Sequence, residues 1–371
     1  MKEKDAVFAE VFAPIEEENI DVEKIDVDWF SPFDEEKITI LNCRNTKEKT
    51  FTRLSADELK DIASVSPDVA FLGRHSAGIQ LRFKTNSRIV KLRVTNYDNF
   101  EMKNMSFMGC SGFDSYARSN ENEPFRYHSS AFPNFIDNRK WIGYPVVWYY
   151  KKDREYLINF PLYNGVFVLE VGVEKGSYLT ASNRPDKKKI LCYGTSILQG
   201  CSCSRPGINI ANQVSRHFDQ EVYNFGFSGA ANLEKEVAEI IANQNDLELL
   251  TIDCEANAGI GPLLVERLET FIQTIFEKQP KLPIILYNRD YSHHDEMSVR
   301  WPKIREYNTK HMQELQKKYA DLGYEIYFFD KWGLFQDIEM TIEGLHPTDV
   351  GMNAISKFYI DTITQVKNNH K

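Results

Sequence analysis

Residues 188–200 read Lys-Lys-Ile-Leu-Cys-Tyr-Gly-Thr-Ser-Ile-Leu-Gln-Gly, and their reading decides the fold. A short apolar run, Ile190 to Cys192, is fed by lysines and stops at Gly194, the pattern of a buried strand that ends in a sharp turn. Ser196 stands just past that turn. There a serine can project its hydroxyl beyond the C-terminal end of a sheet strand, where open α/β folds place their sites. The same serine could instead cap the helix that follows. Its role therefore depends on whether the rest of the chain supplies a base, an acid and oxyanion donors.

From this stretch onward strands and helices alternate. Strands are predicted at 189–193, 221–225, 247–252, 283–287 and 325–329, with helices at about 208–218, 233–242, 262–277 and 302–321 and from Asp349 on. Repeated βα units with apolar strands imply an α/β unit, a parallel sheet flanked by helices. Upstream of the polar linker at Ser182 to Asp186 the period changes to two. Ile79, Leu81 and Phe83 alternate with Gln80, Arg82 and Lys84, and Ile89, Val90, Leu92 and Val94 follow the Asn86-Ser87 turn, which predicts a hairpin. Further strands are predicted at 105–108, 146–149, 156–160 and 166–173. Strands without helices between them predict an antiparallel, jelly-roll-like β-sandwich. The chain then divides into residues 1–183, an acidic arm plus the sandwich, and residues 188–371, the α/β unit.

Within the first unit, Ser55 to Ala63 is amphipathic and opens with a capping box of Ser55 and Glu58. The glycine-rich run from Gly109 to Tyr116 predicts a bend, one that either aims Asp114 and Tyr116 or simply turns the chain. Aromatic residues crowd together after it: Phe125, Tyr127, Phe132, Phe135, Trp141, Tyr144, Trp148, Tyr149 and Tyr150. Such residues suit sugar rings or a sandwich core.

Composition narrows the function classes. Of 371 residues, 42% are hydrophobic and 27% charged, with a net charge of −9. That balance argues against nucleic acid as a partner, and no stretch has the roughly 18 apolar residues of a membrane span. The N-terminus carries acids among its first ten residues and no long apolar segment, so it reads as a cytoplasmic protein without a signal peptide. Cys43, Cys110, Cys192, Cys201, Cys203 and Cys254 contain no C-x-x-C pair and read as free thiols. No metal or other cofactor is expected. His293-His294-Asp295 reads as a loop bordering the substrate, because adjacent histidines on an extended segment point apart.

The strand ends carry the chemistry. Ser196 follows the first strand, Asn224-Phe-Gly226-Phe-Ser228-Gly229 the second, and Asp253-Cys-Glu255-Ala-Asn257 the third, and near the chain end comes Glu343-Gly-Leu-His346-Pro347. A serine becomes a competent nucleophile when a histidine takes its proton, and an imidazole with an ordinary pKa near 6.5 can do so at neutral pH. These residues supply Ser196 as nucleophile, His346 as base and Glu343 to hold the imidazole. The N–H groups of Ser196 and Gly229 and the amide of Asn257 supply oxyanion donors. Taken singly, Gly226 and Gly229 could be a turn, Asn257 a loop residue and His346 a helix-entry residue. Their joint occurrence at successive strand ends favours a serine hydrolase.

These stretches resemble the blocks of the SGNH (GDSL-like) hydrolases. YGTSILQG resembles the first block, NFGFSGAANLE the second, DCEANAG the third and EGLHPTDVG the fifth, which implies the roles just given to Ser196, Gly229, Asn257 and His346. SGFDSY resembles the GxDLY-type N-terminal domain found in one branch of that family. Three positions depart from the pattern: Thr195 stands where many members have Asp, Ala230 where a polar residue is usual, and Glu343 where the D-x-x-H motif has Asp. The resemblance implies an ester hydrolase. With the aromatic-rich sandwich it leads us to expect a serine esterase of short-chain acyl esters, acetyl first of all, carried by a saccharide or another small molecule. The alternatives are a lipase or thioesterase, or a carbohydrate-binding protein whose catalytic half is degenerate. Nothing in the sequence bears on oligomeric state.

Overall fold

The computed structural model describes residues 20–98, 101–133, 139–335 and 338–369. The start of the acidic arm, with the segment read for a signal peptide, and Phe135 lie outside the described residues. Among the described residues ten strands precede the linker: β1 (Val27–Phe30), β2 (Thr39–Leu41), β3 (Gln80–Thr85), β4 (Ile89–Asn96), β5 (Phe113–Arg118), β6 (Arg126–Ala131), β7 (Lys140–Val147), β8 (Arg154–Asn159), β9 (Val166–Glu174) and β10 (Leu179–Ala181). They form two antiparallel sheets, β1-β9-β4-β7 and β10-β3-β8-β5-β6, with β2 also paired to β3. Leu81, Phe83, Phe113, Tyr156 and Ile158 from one sheet meet Val90, Leu92, Val146, Val171 and Val173 from the other in one buried core. Period-two patterning follows from that single shared face.

Three expectations are corrected here. Residues 79–94 are not a hairpin, because β3 and β4 lie in opposite sheets. Alternation looks the same whether a turn pairs two strands or carries the chain across a sandwich. Ser87 makes the crossing, its hydroxyl accepting the Glu174 N–H of β9 at 2.9 Å. The strand expected at 105–108 is instead the start of the helix Phe107–Ser111, since Ser106 accepts the Gly109 N–H at 3.1 Å and caps it. The expected bend through Asp114 and Tyr116 is the continuous strand β5, with the glycines before it in the helix and at its end.

The helices Ala56–Ala63 and Pro67–Gly73 leave the sandwich altogether. The Ser55 and Glu58 capping box is present, and Leu54, Ile62, Val69 and Leu72 join the core of the α/β unit.

That unit holds β11 (Lys189–Gly194), β12 (Val222–Gly226), β13 (Leu247–Asp253), β14 (Ile284–Tyr287) and β15 (Ile326–Phe329), all parallel, in the order β12-β11-β13-β14-β15. Alternate residues of β11 enter two different cores. Leu191 and Tyr193 pack with the helices Lys235–Ala242 and Leu263–Lys278, and Ile190 and Cys192 with Ile210–Phe218 and Asp349–Asn368. Burial on both faces is why these strands read as unbroken apolar runs. The chain passes from β11 to one neighbour, β12, and then to the other, β13, so the strand order reverses beside β11, where such folds bind ligands. Ser196 lies just beyond that strand. Among the described residues no helix is long and apolar enough to cross a membrane.

Candidate active site

Thr195 follows β11 and caps the one-turn helix Ser196–Gln199, its hydroxyl accepting the Ile197 N–H at 3.4 Å. The capping role open to Ser196 therefore falls to its neighbour. Ser196 Oγ lies 2.9 Å from His346 Nε2. On the far side of the ring, His346 Nδ1 is hydrogen-bonded to Glu343 Oε1, and the same oxygen accepts the His346 backbone N–H at 3.0 Å. A bridge between Thr341 and Pro347, with the Ile342 N–H donating to the His346 carbonyl at 2.8 Å, closes the short loop that sets the two side chains together.

The electrostatics of the imidazole follow from this setting. Burial works to lower the His346 pKa, but the sulfur of Cys201 and then the Glu343 carboxylate outweigh it and raise the pKa to about 9. The ring thus holds a proton readily, which suits the imidazolium that forms once a serine gives its proton up. A rate that needs the neutral ring rises with pH toward that value.

Gly229 sits in the loop after β12, where the Phe227 N–H donates to the Gly194 carbonyl at 2.9 Å and so ties this loop to the end of β11. Its φ of +71° favours glycine, and a Cβ built there would meet nothing within 4 Å, so the space above it is open. Asn257 lies in the one-turn helix Glu255–Ala258 beyond β13. Its Oδ1 accepts the Ala231 N–H at 3.3 Å, which orients the amide and joins the second and third loops. Neither the Gly229 N–H nor Asn257 Nδ2 donates a hydrogen bond among the described residues. The Ser196 N–H, first in its helix, has no partner within that helix. Donors in this condition can receive a developing oxyanion.

The neighbouring acids are committed elsewhere. Asp253 is bonded to Lys331 Nζ and accepts the Tyr359 hydroxyl at 2.6 Å. Glu255, 1% exposed, accepts the Arg289 N–H at 2.7 Å and Asn308 Nδ2 at 3.2 Å. Burial drives its pKa up, against those hydrogen bonds. Sequence reasoning assigned Glu255 no task, yet it begins a brace. Arg289 forms an ion pair with Asp295 at 2.5 Å, and in the same segment the His293 N–H donates to the Gly344 carbonyl at 2.8 Å. The Asn257 helix is thereby linked to the loop of Glu343. The only sequence signal was the position of Glu255 two residues before Asn257. His293-His294-Asp295 supplies this brace, and no group of three or more His, Cys, Asp or Glu suited to a metal occurs among the described residues. All six cysteines are free and buried.

Comparison with known families places the two halves. Residues 187–364 match the GDSL-like Lipase/Acylhydrolase family, and residues 27–179 match GxDLY, the N-terminus of the SGNH-hydrolase esterase type. The chain belongs to the SGNH (GDSL-like) hydrolases. It is an ester hydrolase by family. No curated protein sequence matches the chain. Among solved structures, a protein described as a GDSL-like lipase from Bacteroides ovatus is similar at 25% identity and a TM-score of 0.83, with 92% of this chain and 98% of that one covered. The salicylyl-acyltransferase SsfX3 of a tetracycline biosynthetic pathway shares the fold at 18% identity and a TM-score of 0.70, covering 92% and 98%. A family two carbohydrate esterase from Cellvibrio japonicus does so at 11% identity and 0.60, covering 93% and 99%.

In this SGNH hydrolase the GxDLY-like residues face the catalytic half. Asp114, fully buried, accepts Arg205 Nη1 at 2.6 Å, the Gly207 N–H at 2.9 Å and Asn159 Nδ2 at 2.7 Å. The Tyr116 hydroxyl accepts Arg205 Nη1 at 2.6 Å. A Cβ on Gly207 would lie 2.7 Å from the Asp114 carboxylate, so only glycine permits this approach. Part of the aromatic run is structural, while Phe132, Tyr149 and Tyr150 are exposed. Trp141 packs on Phe113 in the sandwich core, Trp148 lies between His128 and Arg154, and Tyr127 covers Arg205.

Proposed function

We propose that this protein is a serine esterase that releases a short acyl group, acetyl first of all, from a hydroxylated small molecule such as a saccharide. Residues 188–371 form its catalytic unit and residues 1–183 the arm and sandwich that support it. The observation that carries the reading is the continuous chain from Ser196 Oγ through His346 to Glu343. In this mechanism Ser196 attacks the ester carbonyl while His346 Nε2 takes its proton, and Glu343 holds the ring and offsets its charge. The oxyanion of the tetrahedral intermediate is met by the N–H groups of Ser196 and Gly229 and by Asn257 Nδ2. His346 then protonates the leaving alcohol, and water repeats the sequence to free the acid.

The carbohydrate esterase among the structural relatives supports the carrier as a likeness of fold. The sandwich aromatics are divided: Trp141 serves packing, while Tyr127, Phe132, Tyr149 and Tyr150 are exposed. A second reading, a lipase, draws on Ile260, Met297, Val299 and Ile342, which are exposed on loops beyond β13, β14 and β15.

A chain-length series of p-nitrophenyl esters, followed by acetylated sugars, separates the two. Native protein is expected to prefer acetate or propionate to octanoate, and Ser196→Ala to lose activity by about 10³-fold or more. Preference for octanoate would favour the lipase. Full activity in Ser196→Ala would remove the serine mechanism.

A further inference from the structure

An exposed indole stands just past the last strand of the parallel sheet. Trp332 follows β15, is 38% exposed, and belongs to none of the buried cores. Its backbone is nevertheless firmly held. The Trp332 N–H donates to Asp330 Oδ1 at 2.8 Å, Asp330 accepts Asn288 Nδ2 at 2.6 Å, and Asn288 Oδ1 accepts the Lys331 N–H at 2.7 Å. These bonds join the segments leaving β14 and β15.

The ring is supported as well. The Arg305 guanidinium lies 3.6 Å from its centre, a close cation–π contact, and Tyr291 meets it at 5.7 Å and 64°. Tyr291 lies two residues before His293, whose N–H holds the Gly344 carbonyl next to Glu343. The pair of rings is thus tied, through the segment of His293, to the loop that carries Glu343. None of the hydrogen bonds of the Ser196, His346 and Glu343 chain involves them.

A tryptophan with a braced ring and open surface has the properties of a stacking surface: a flat apolar face, little rotamer freedom to lose and a polar edge. An acyl chain would instead need an enclosed apolar groove. We propose that Trp332 is the subsite for the alcohol part of the ester, its indole the face on which a pyranose ring of the leaving group stacks, with Tyr291 set at an angle beside it and Arg305 backing the ring. This proposal rests on the saccharide-ester reading above. It assigns selectivity for the carrier to the loops of the catalytic half.

The test compares kcat/KM for an acetylated xylo-oligosaccharide with that for ethyl acetate, which has no ring to stack, in native protein, Trp332→Ala and Trp332→Phe. The ratio of the two values is expected to fall about tenfold in Trp332→Ala, through KM for the saccharide, and to recover in large part in Trp332→Phe. An unchanged ratio in Trp332→Ala, or an equal loss on both esters, overturns the subsite. Native protein that cleaves ethyl acetate but no acetylated saccharide overturns the carrier reading and the subsite with it. That result is distinguishable, because it appears before any substitution is made.

Discussion

Glu343 marks the clearest departure from the family's D-x-x-H pattern, and the geometry explains how a longer acid is accommodated. One of its oxygens serves both the His346 ring and the His346 backbone N–H, so the side chain closes a turn as well as orienting the imidazole. Aspartate is one methylene shorter and cannot make both contacts without a shift of the backbone. Glu343→Asp is therefore expected to lower kcat despite restoring the usual residue, and Glu343→Gln to lower it by about 10² to 10⁴. The pH profile gives a second readout. His346 must be neutral to accept the Ser196 proton and its pKa is raised to about 9, so kcat/KM of the native enzyme should climb with pH through that region. Removing the carboxylate withdraws one of the groups that raise it, and the midpoint should move to lower pH in Glu343→Gln. A Gln variant within threefold of native, with the same midpoint, would leave a Ser196 and His346 dyad.

At the scale of elements, the parallel sheet was the legible part and the sandwich connections were not. β11 to β15 are buried on both faces, so each stands out as an apolar run, and Ser196, Gly229 and Asn257 are found by looking just past their ends. The crossing from β3 to β4 left no mark, because alternation records only which face is buried. Gln80 and Arg82 even read as solvent-facing, yet they are buried against the helix Ile210–Phe218 and its C-cap, with Gln80 bonded to Asn212 and Arg82 to Asp219. The brace was equally silent, since Glu255, Arg289 and Gly344 are remote in sequence. Its effect can be measured. In Glu255→Gln one of the two bonds is replaced by a donor facing a donor, a buried mismatch of about 1–3 kcal/mol. The Asn257 helix and the Glu343 loop then lose their common support, and kcat is expected to fall about tenfold with KM little changed. A lower melting temperature with kcat intact would make Glu255 a purely structural residue.

At the scale of the whole molecule the two halves are expected to unfold together. Helices from the first half contribute Leu54, Ile62, Val69 and Leu72 to one core of the catalytic unit, and Ala77, Cys110, Leu162 and Tyr163 enter the other. Arg53, buried between them, donates to the carbonyls of Asn224 and Gly226 at 3.0 and 2.5 Å and to that of Leu72 at 2.6 Å. Separating the halves would expose these apolar surfaces and strand their charges. Calorimetry should then show one transition, with calorimetric and van't Hoff enthalpies in agreement. The Asp114 and Arg205 pair tests the same coupling at one point. Arg205 also lies beside Ser204, whose hydroxyl and N–H donate to Asp349 at 2.6 and 2.9 Å, three residues beyond His346. Arg205→Ala leaves the Asp114 carboxylate buried without its cation, a change that typically costs about 3–5 kcal/mol. Because Arg205 is itself 20% exposed, the lower end of that range is expected. If the sandwich is integral, the single transition moves down as a unit and activity is lost along the same curve. Two resolved transitions, only one of them shifted in Arg205→Ala, would show that the sandwich folds independently and merely rests against the hydrolase.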